Sequence, residues 1–363
     1  MVSAPSSNDL TLTLDAFIRS VAVNRRSPHA FFLGAGASVS SGVPSAGMCI
    51  WEWKRQIFVT NNPRLQTLLG DVSMESVQQK IQHWLDSEGA YPALNAEEEY
   101  GFYAERCYPI ADDRRRYFEN LAESAAPYVG YKLLCLLAES GLIKGAWTTN
   151  FDGLVARAAA SFGVTPVEVG LDSAHRAFMM PSAGELLCVS IHGDYRYDRL
   201  KNTEAELQRQ DAQLRAALVD YLQDTSLVVS GYSGRDKYVM ETLQLAYSRP
   251  GPARLYWCGR EGEEPGDPVR RLLLTARASG REAYYVPTLG FDDLMLRLSL
   301  HCLAGEPLDR AKQLVEADSE GREEKSPAFS VSSDAVTRLM TRLHRAARSR
   351  LSVTATALTA ARG

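Results

Sequence analysis

The six cysteines of this chain, at 49, 107, 135, 188, 258 and 302, never form a CxxC pair, and no two of its six histidines stand three or four residues apart. That spacing gives neither a zinc knuckle nor a disulfide framework, so the cysteines are read as reduced, mostly buried thiols and no metal site is expected. Long apolar runs are also missing: nothing approaches the roughly 20 residues that cross a bilayer. Met1 to Leu10 is polar, without the basic start and apolar middle of a signal peptide, so the expected location is the cytoplasm with no membrane partner. Charge of one sign is scarce too. Forty basic against 44 acidic residues leave a formal net charge of −4, which gives no reason to expect nucleic acid as a direct ligand. No internal repeat is visible.

What the chain does have is 363 residues, 45% of them hydrophobic, enough for one large domain or two smaller ones. Apolar spacing from Asp9 to Val23 predicts a helix, and Phe31 to Leu33 a short buried strand. Between about 48 and 127 the pattern is helical, with Pro63, Pro92 and Pro109 as breaks, and this reads as a helical insert. Its Trp51, Trp53, Trp84, Tyr103 and Phe118 are at helical spacing, where aromatic residues are usually core, with the roof of a ligand pocket as the other reading. A helix over 128–139 and a second buried strand over 143–149 follow. From there helical and strand-like runs alternate, with strands near 164–169, 186–192, 226–231, 253–258 and 283–286. Such alternation predicts an α/β fold, a doubly wound and mainly parallel sheet of Rossmann-like kind, filling residues 1–304. Residues 305–334 read as a polar linker. Residues 335–363 read as a basic helical tail: a solvated helix first, a segment that docks a partner second.

Three strand ends carry candidate chemistry. Phe31 to Leu33 run into Gly34-Ala35-Gly36-Ala37-Ser38, where two glycines lack the β-carbons that would hold a pyrophosphate away from main-chain N–H groups, and Ser38, Ser40 and Ser41 add hydroxyls. Thr149-Asn150-Phe151-Asp152 closes the second strand; either Asx residue alone would be read as a helix cap. His192-Gly193 closes another, and a lone histidine is more often structural than catalytic. The joint order changes that balance. In a parallel sheet the loops after the strands share one edge, so the glycine turn, Asn150, His192 and Gly231 are expected to face one crevice.

This order resembles the sirtuin superfamily. Its turn matches Gly34-Ala35-Gly36-Ala37-Ser38 with Ser41-Gly42-Val43-Pro44, its Asn-x-Asp segment matches Thr149 to Asp152, and its His-Gly segment matches His192-Gly193. Val228 to Asp236 resembles the family's later nucleotide-contacting turn, and the resemblance covers about residues 10 to 300. Two departures stand out. Pro44 is followed by Ser45-Ala46-Gly47 where protein deacylases have Asp-Phe-Arg, and a helical insert stands in place of their four-cysteine zinc module. The pattern is closer to bacterial sirtuin-like NAD hydrolases of antiphage defence. Those work with, or fused to, a sensor such as a short Argonaute-type protein or a HerA-type ATPase.

The resemblance implies NAD+ as substrate, no metal, and nicotinamide and ADP-ribose as products. It implies that Gly34, Ala35, Gly36, Ala37, Ser38 and Ser41 cradle the pyrophosphate, that Pro44 and Thr149 also contact the cofactor, and that Gly231, Tyr232 and Ser233 sit near the adenosine half. Asp152 would engage the nicotinamide carboxamide, and Asn150 the ribose hydroxyls or a water. His192, with an ordinary pKa near 6.5, would accept a proton. Asp236 is expected to cap the next helix. Activity gated by a partner or by self-association is expected, with nucleic acid reached only through a partner. A non-catalytic NAD+ or ADP-ribose sensor is the alternative, and an NAD-dependent deacylase the weaker one.

Overall fold

The structure, a computed structural model, describes residues 10–69, 71–96, 98–191 and 204–325. Its centre is a seven-stranded sheet, every neighbouring pair parallel: β1 (His29–Leu33), β2 (Ile143–Thr148), β3 (Thr165–Val169), β4 (Glu185–Ser190), β5 (Ser226–Ser230), β6 (Leu255–Arg260) and β7 (Ala283–Thr288). The order β3-β4-β2-β1-β5-β6-β7 means that the chain starts in the middle, builds out to one edge, then returns past β1 to build the other. The reversal falls between β1 and β5, the place where open α/β sheets leave a crevice at the carboxyl ends of their strands. The expected doubly wound α/β architecture is what the chain adopts.

Alternation along β1 divides the core. Phe31 and Leu33 face one side with α1 (Leu14–Val23), α6 (Val129–Glu139), α7 (Leu154–Ser161) and α11 (Phe291–Cys302). Ala30 and Phe32 face the other with α8 (Glu204–Asp224), α9 (Lys237–Tyr247) and α10 (Asp267–Ala278). A strand buried on both sides must be apolar throughout, and Ala-Phe-Phe-Leu is. Leu133, Leu134, Leu136 and Leu137 of α6 have no exposed surface, and each such side chain contributes roughly 1.5–3 kcal/mol of apolar burial.

Between β1 and β2 the chain forms α2 (Ala46–Asn61), α3 (Glu75–Glu88), α4 (Glu99–Cys107) and α5 (Ala111–Ser124). These helices bury a core of their own around Trp53, Phe58, Ile81 and Tyr103. Trp53 and Tyr103 are buried in this core, Phe118 meets Trp53 edge-on, and Trp51, Trp84 and Phe118 are partly buried against it. Within it Lys54 Nζ is buried against Glu99 Oε1 at 2.5 Å and Gln82 Oε1 at 2.9 Å.

Two compact units divide after Val315. The supposed polar linker is a helix instead, α12 (Glu306–Lys325). Leu308, Ala311, Leu314 and Val315 recur at helical spacing and pack on the sheet's first core, while Arg310 pairs with Glu139 at 2.8 Å. Of the second unit, from Glu316, the described part is the end of this helix, and the basic tail at 335–363 lies outside the described residues. Among the described residues no helix is long and apolar enough to cross a membrane.

Candidate functional site

β4, β2, β1 and β5 are consecutive neighbours, so the loops that follow them emerge side by side. That is the adjacency the single-crevice expectation requires. His192 itself, with Gly193, lies outside the described residues; Ile191, just before it, donates its N–H to Thr148 O at 2.9 Å.

After β1 the chain enters a 3₁₀ turn, Ala35–Ser41, ending at Gly42 in the left-handed region at φ 92°. The glycines that open it also serve a contact inside the protein. A Cβ on Gly34 would stand 2.5 Å from Gly231 O, and one on Gly36 would stand 2.9 Å from Gly231 Cα. Gly36 N–H donates to Gly231 O at 2.9 Å, and Gly231 sits at φ 68°. The bare main chain at 34–36 therefore lets the loops after β1 and β5 interlock. Tyr232, next to this contact, packs its ring on Phe32 and Trp257 at 5.0 and 5.8 Å between centroids, and Ser233 is exposed. Asp236 accepts from Val239 N at 3.2 Å and caps α9, as expected.

Ser38 is completely buried. Its Oγ donates to Asp152 Oδ2 at 2.5 Å, receives Asn150 Nδ2 at 2.9 Å, and lies 2.8 Å from the Tyr131 hydroxyl. A serine hydroxyl has one proton to give, and that proton goes to the carboxylate, so Tyr131 donates. Burial first, and the charge of Asp152 second, push the Tyr131 phenol well above its ordinary range, which keeps it protonated for this role. Ser38 thus has no capacity left for a phosphate. In this arrangement the hydroxyl holds Asn150 and Asp152 in place. Ser41 turns toward α6, its Oγ accepting from Tyr128 N at 3.1 Å.

The loop after β2 is locked from below. Thr148 Oγ1 donates to Leu33 O at 2.8 Å and accepts from Asn150 N at 2.9 Å, while Thr149 N donates to Leu33 O at 3.3 Å. Asn150 Nδ2 gives its second proton to Gly34 O at 3.1 Å. Both amide protons are therefore spent inside the protein, and any further hydrogen bond of this side chain is one that Oδ1 accepts. Asp152 Oδ1 accepts from Leu154 N at 3.0 Å, so the carboxylate helps begin α7 as well as holding Ser38. Ala35 and Ala37 belong to the 3₁₀ turn, with Ala37 buried in the core, and Pro44 follows it.

Beside Asp152 a cavity of about 370 Å³ opens between α7 and the ends of β2, β4 and β3, lined among others by Thr148, Glu168, Asp172, Arg176 and Ser190. Tyr131, Glu168, Asp172 and Arg176 carry no signal in the sequence: Tyr131 sits in an apolar helix that reads as core. Among the described residues no group of three or more His, Cys, Asp or Glu side chains could hold a metal ion.

Residues 144–279 match the family model of the SIR2-like domain. The matched stretch runs from β2 to the end of α10 and includes Asn150, Asp152, His192 and Gly231 to Ser233; the glycine turn after β1 precedes it. No curated protein matches the chain.

Proposed function

We propose that this protein is an NAD+ glycohydrolase that releases nicotinamide and ADP-ribose. The observation that carries the reading is the buried Ser38 hydroxyl, which binds an amide and a carboxylate from one loop to the glycine-rich turn of the next. Supporting it is the SIR2-like match across the Asn150 and Asp152 loop, since domains of that kind use NAD+.

Nicotinamide departs when its bond to the anomeric carbon breaks and the electron pair leaves with the ring, neutralising the pyridinium while positive charge grows on the ribose. In this reading Asp152 faces the nicotinamide end. Asn150 Oδ1 accepts from a ribose hydroxyl or from the attacking water, which forms the new carbon–oxygen bond, and His192 takes that water's proton. Gly36 and Gly231, whose main chain is exposed, border the pyrophosphate and adenosine side. We further propose an NAD-depleting effector of antiphage defence, held quiet until a short Argonaute-type or HerA-type partner, or self-association, releases it. The replacement of Asp-Phe-Arg by Ser45-Ala46-Gly47 supports hydrolysis over deacylation.

One observation favours a second reading, a non-catalytic NAD+ or ADP-ribose sensor: the donors of Asn150 and both oxygens of Asp152 are already satisfied within the protein. His192→Ala separates the two. As an enzyme, the variant binds NAD+ in calorimetry as the wild type does and releases nicotinamide about 10²- to 10⁴-fold more slowly. Unaltered release by a folded His192→Ala protein removes the catalytic role, and NAD+ binding with no release by either protein selects the sensor.

A further inference from the structure

The helical insert has its own core, yet its exit is stitched to both loops of the site. Ala126 N donates to Ser41 O at 3.3 Å, and Tyr128 N donates to Ser41 Oγ at 3.1 Å, tying the stretch after α5 to the end of the glycine turn. On the other side stands Arg157, on the second turn of α7. Its Nη1 donates to Ala125 O at 3.0 Å, and its Nη2 to Ala122 O at 3.1 Å and Asp152 O at 3.2 Å. Ala122 and Ala125 are the last turn and the cap of α5, where the carbonyl end of the helix attracts a cation; Ala122 O also accepts from Ala125 N at 3.3 Å. The ring of Phe118, also on α5, lies 5.6 Å from that of Phe151, between Asn150 and Asp152.

We propose that Arg157 is a positioning residue: its guanidinium ties the Asp152 carbonyl to the C-terminus of α5, so that the placement of the insert sets the geometry of the Asn150 and Asp152 side chains. A planar fork can reach three carbonyls from one side chain, which a lysine ammonium on a flexible stem does not reproduce. Phe118 against Phe151 supplies the apolar half of the same link. The insert is then more than a lid of convenience, since any partner that shifts α5 also shifts the loop.

The inference rests on the hydrolase reading for its kinetic consequence but not for its structural one, and the experiment separates them. Wild type, Arg157→Lys and Arg157→Ala are compared in full length by thermal melting, by hydrogen exchange of peptides spanning 148–155 and 129–139, and by nicotinamide release from NAD+. In a folded Arg157→Lys protein, exchange across 148–155 rises by about tenfold while 129–139 keeps wild-type protection. Its kcat falls by about tenfold with KM within about twofold, the pattern of lost alignment without lost binding. Unaltered exchange and kcat in either folded variant overturn the proposal. Global melting of both variants does so as well, because it makes Arg157 a fold-wide support. If the wild type neither binds NAD+ nor releases nicotinamide, the hydrolase reading fails, and the exchange data still decide the role of Arg157.

Discussion

Ser38 donates to Asp152 at 2.5 Å across 114 positions of sequence, from the loop after β1 to the loop after β2. The same oxygen receives Asn150 and Tyr131, so Ser38→Ala strips a partner from a carboxylate, an amide and a phenol at once. A buried group left unmatched costs about 1–3 kcal/mol, and a loss of this size lowers Tm by about 2–4 °C per kcal/mol in a domain this large. Ser38→Ala is expected to fold, melt several degrees lower and lose nicotinamide release by more than its fraction of folded protein explains. Scanning calorimetry beside an activity assay checks both halves.

The interlocked glycines make a second prediction. At Gly231 a Cβ would meet Ala37 N at 2.3 Å, on a backbone at φ 68°. Gly163 has a similar φ of 77° with nothing within 4 Å of its Cβ. Gly163→Ala is expected to cost about 1–2 kcal/mol, the left-handed penalty alone. Gly231→Ala must also push two loops apart, and is expected to lose several times as much or to fail to fold. Urea denaturation of the pair measures the difference.

His29, at the start of β1, is 3% exposed, and its pKa is lowered from 6.5 to about 4, by burial first, against a hydrogen bond with the Ser27 backbone that raises it, and with Arg254 lowering it further. Below pH 6.5 the unfolded chain binds a proton that the folded chain refuses, so stability falls as pH drops from 6.5 through 4. Complete titration over that window removes about 3 kcal/mol. His29→Leu is expected to flatten this slope in denaturant titrations at pH 7, 5.5 and 4.5; a slope equal to the wild type's removes His29 as its source.

In the insert, Lys54 and Glu99 are 0% and 4% exposed and 2.5 Å apart. Breaking a buried pair by removing one partner costs about 3–5 kcal/mol, whereas replacing both by apolar residues often does not. Glu99→Gln is expected to destabilise strongly and Lys54→Met with Glu99→Leu to recover much of the loss. A double-mutant cycle by chemical denaturation reads the coupling.

Much of this fold is legible in the sequence because both-sided burial writes itself into strands such as Leu227-Val228-Val229, and alternation with helices then implies a parallel sheet. The helix at Glu306–Lys325, inside the expected linker 305–334, was hidden because Leu308, Ala311 and the Leu314-Val315 pair are few apolar residues in a polar, charged stretch, and composition masks their period. At the site, spacing after strands picked out Asn150 and Asp152, which the structure joins through Ser38. What spacing does not reveal is that Gly34 and Gly36 also meet another loop's main chain, at Gly231. Nor does it reveal partners chosen by tertiary packing, such as Tyr131 and Arg157.

The central claim is that the amide at the end of β2 takes part in cleaving the nicotinamide–ribose bond. Free nicotinamide is quantified after NAD+ is incubated with wild type or with Asn150→Ala, each alone and with short Argonaute-type or HerA-type candidate partners, at equal folded concentration. Release by the wild type is expected, strongest with an activating partner, with a loss of at least about a hundredfold in Asn150→Ala. Equal, nonzero release by the two proteins would contradict the claim.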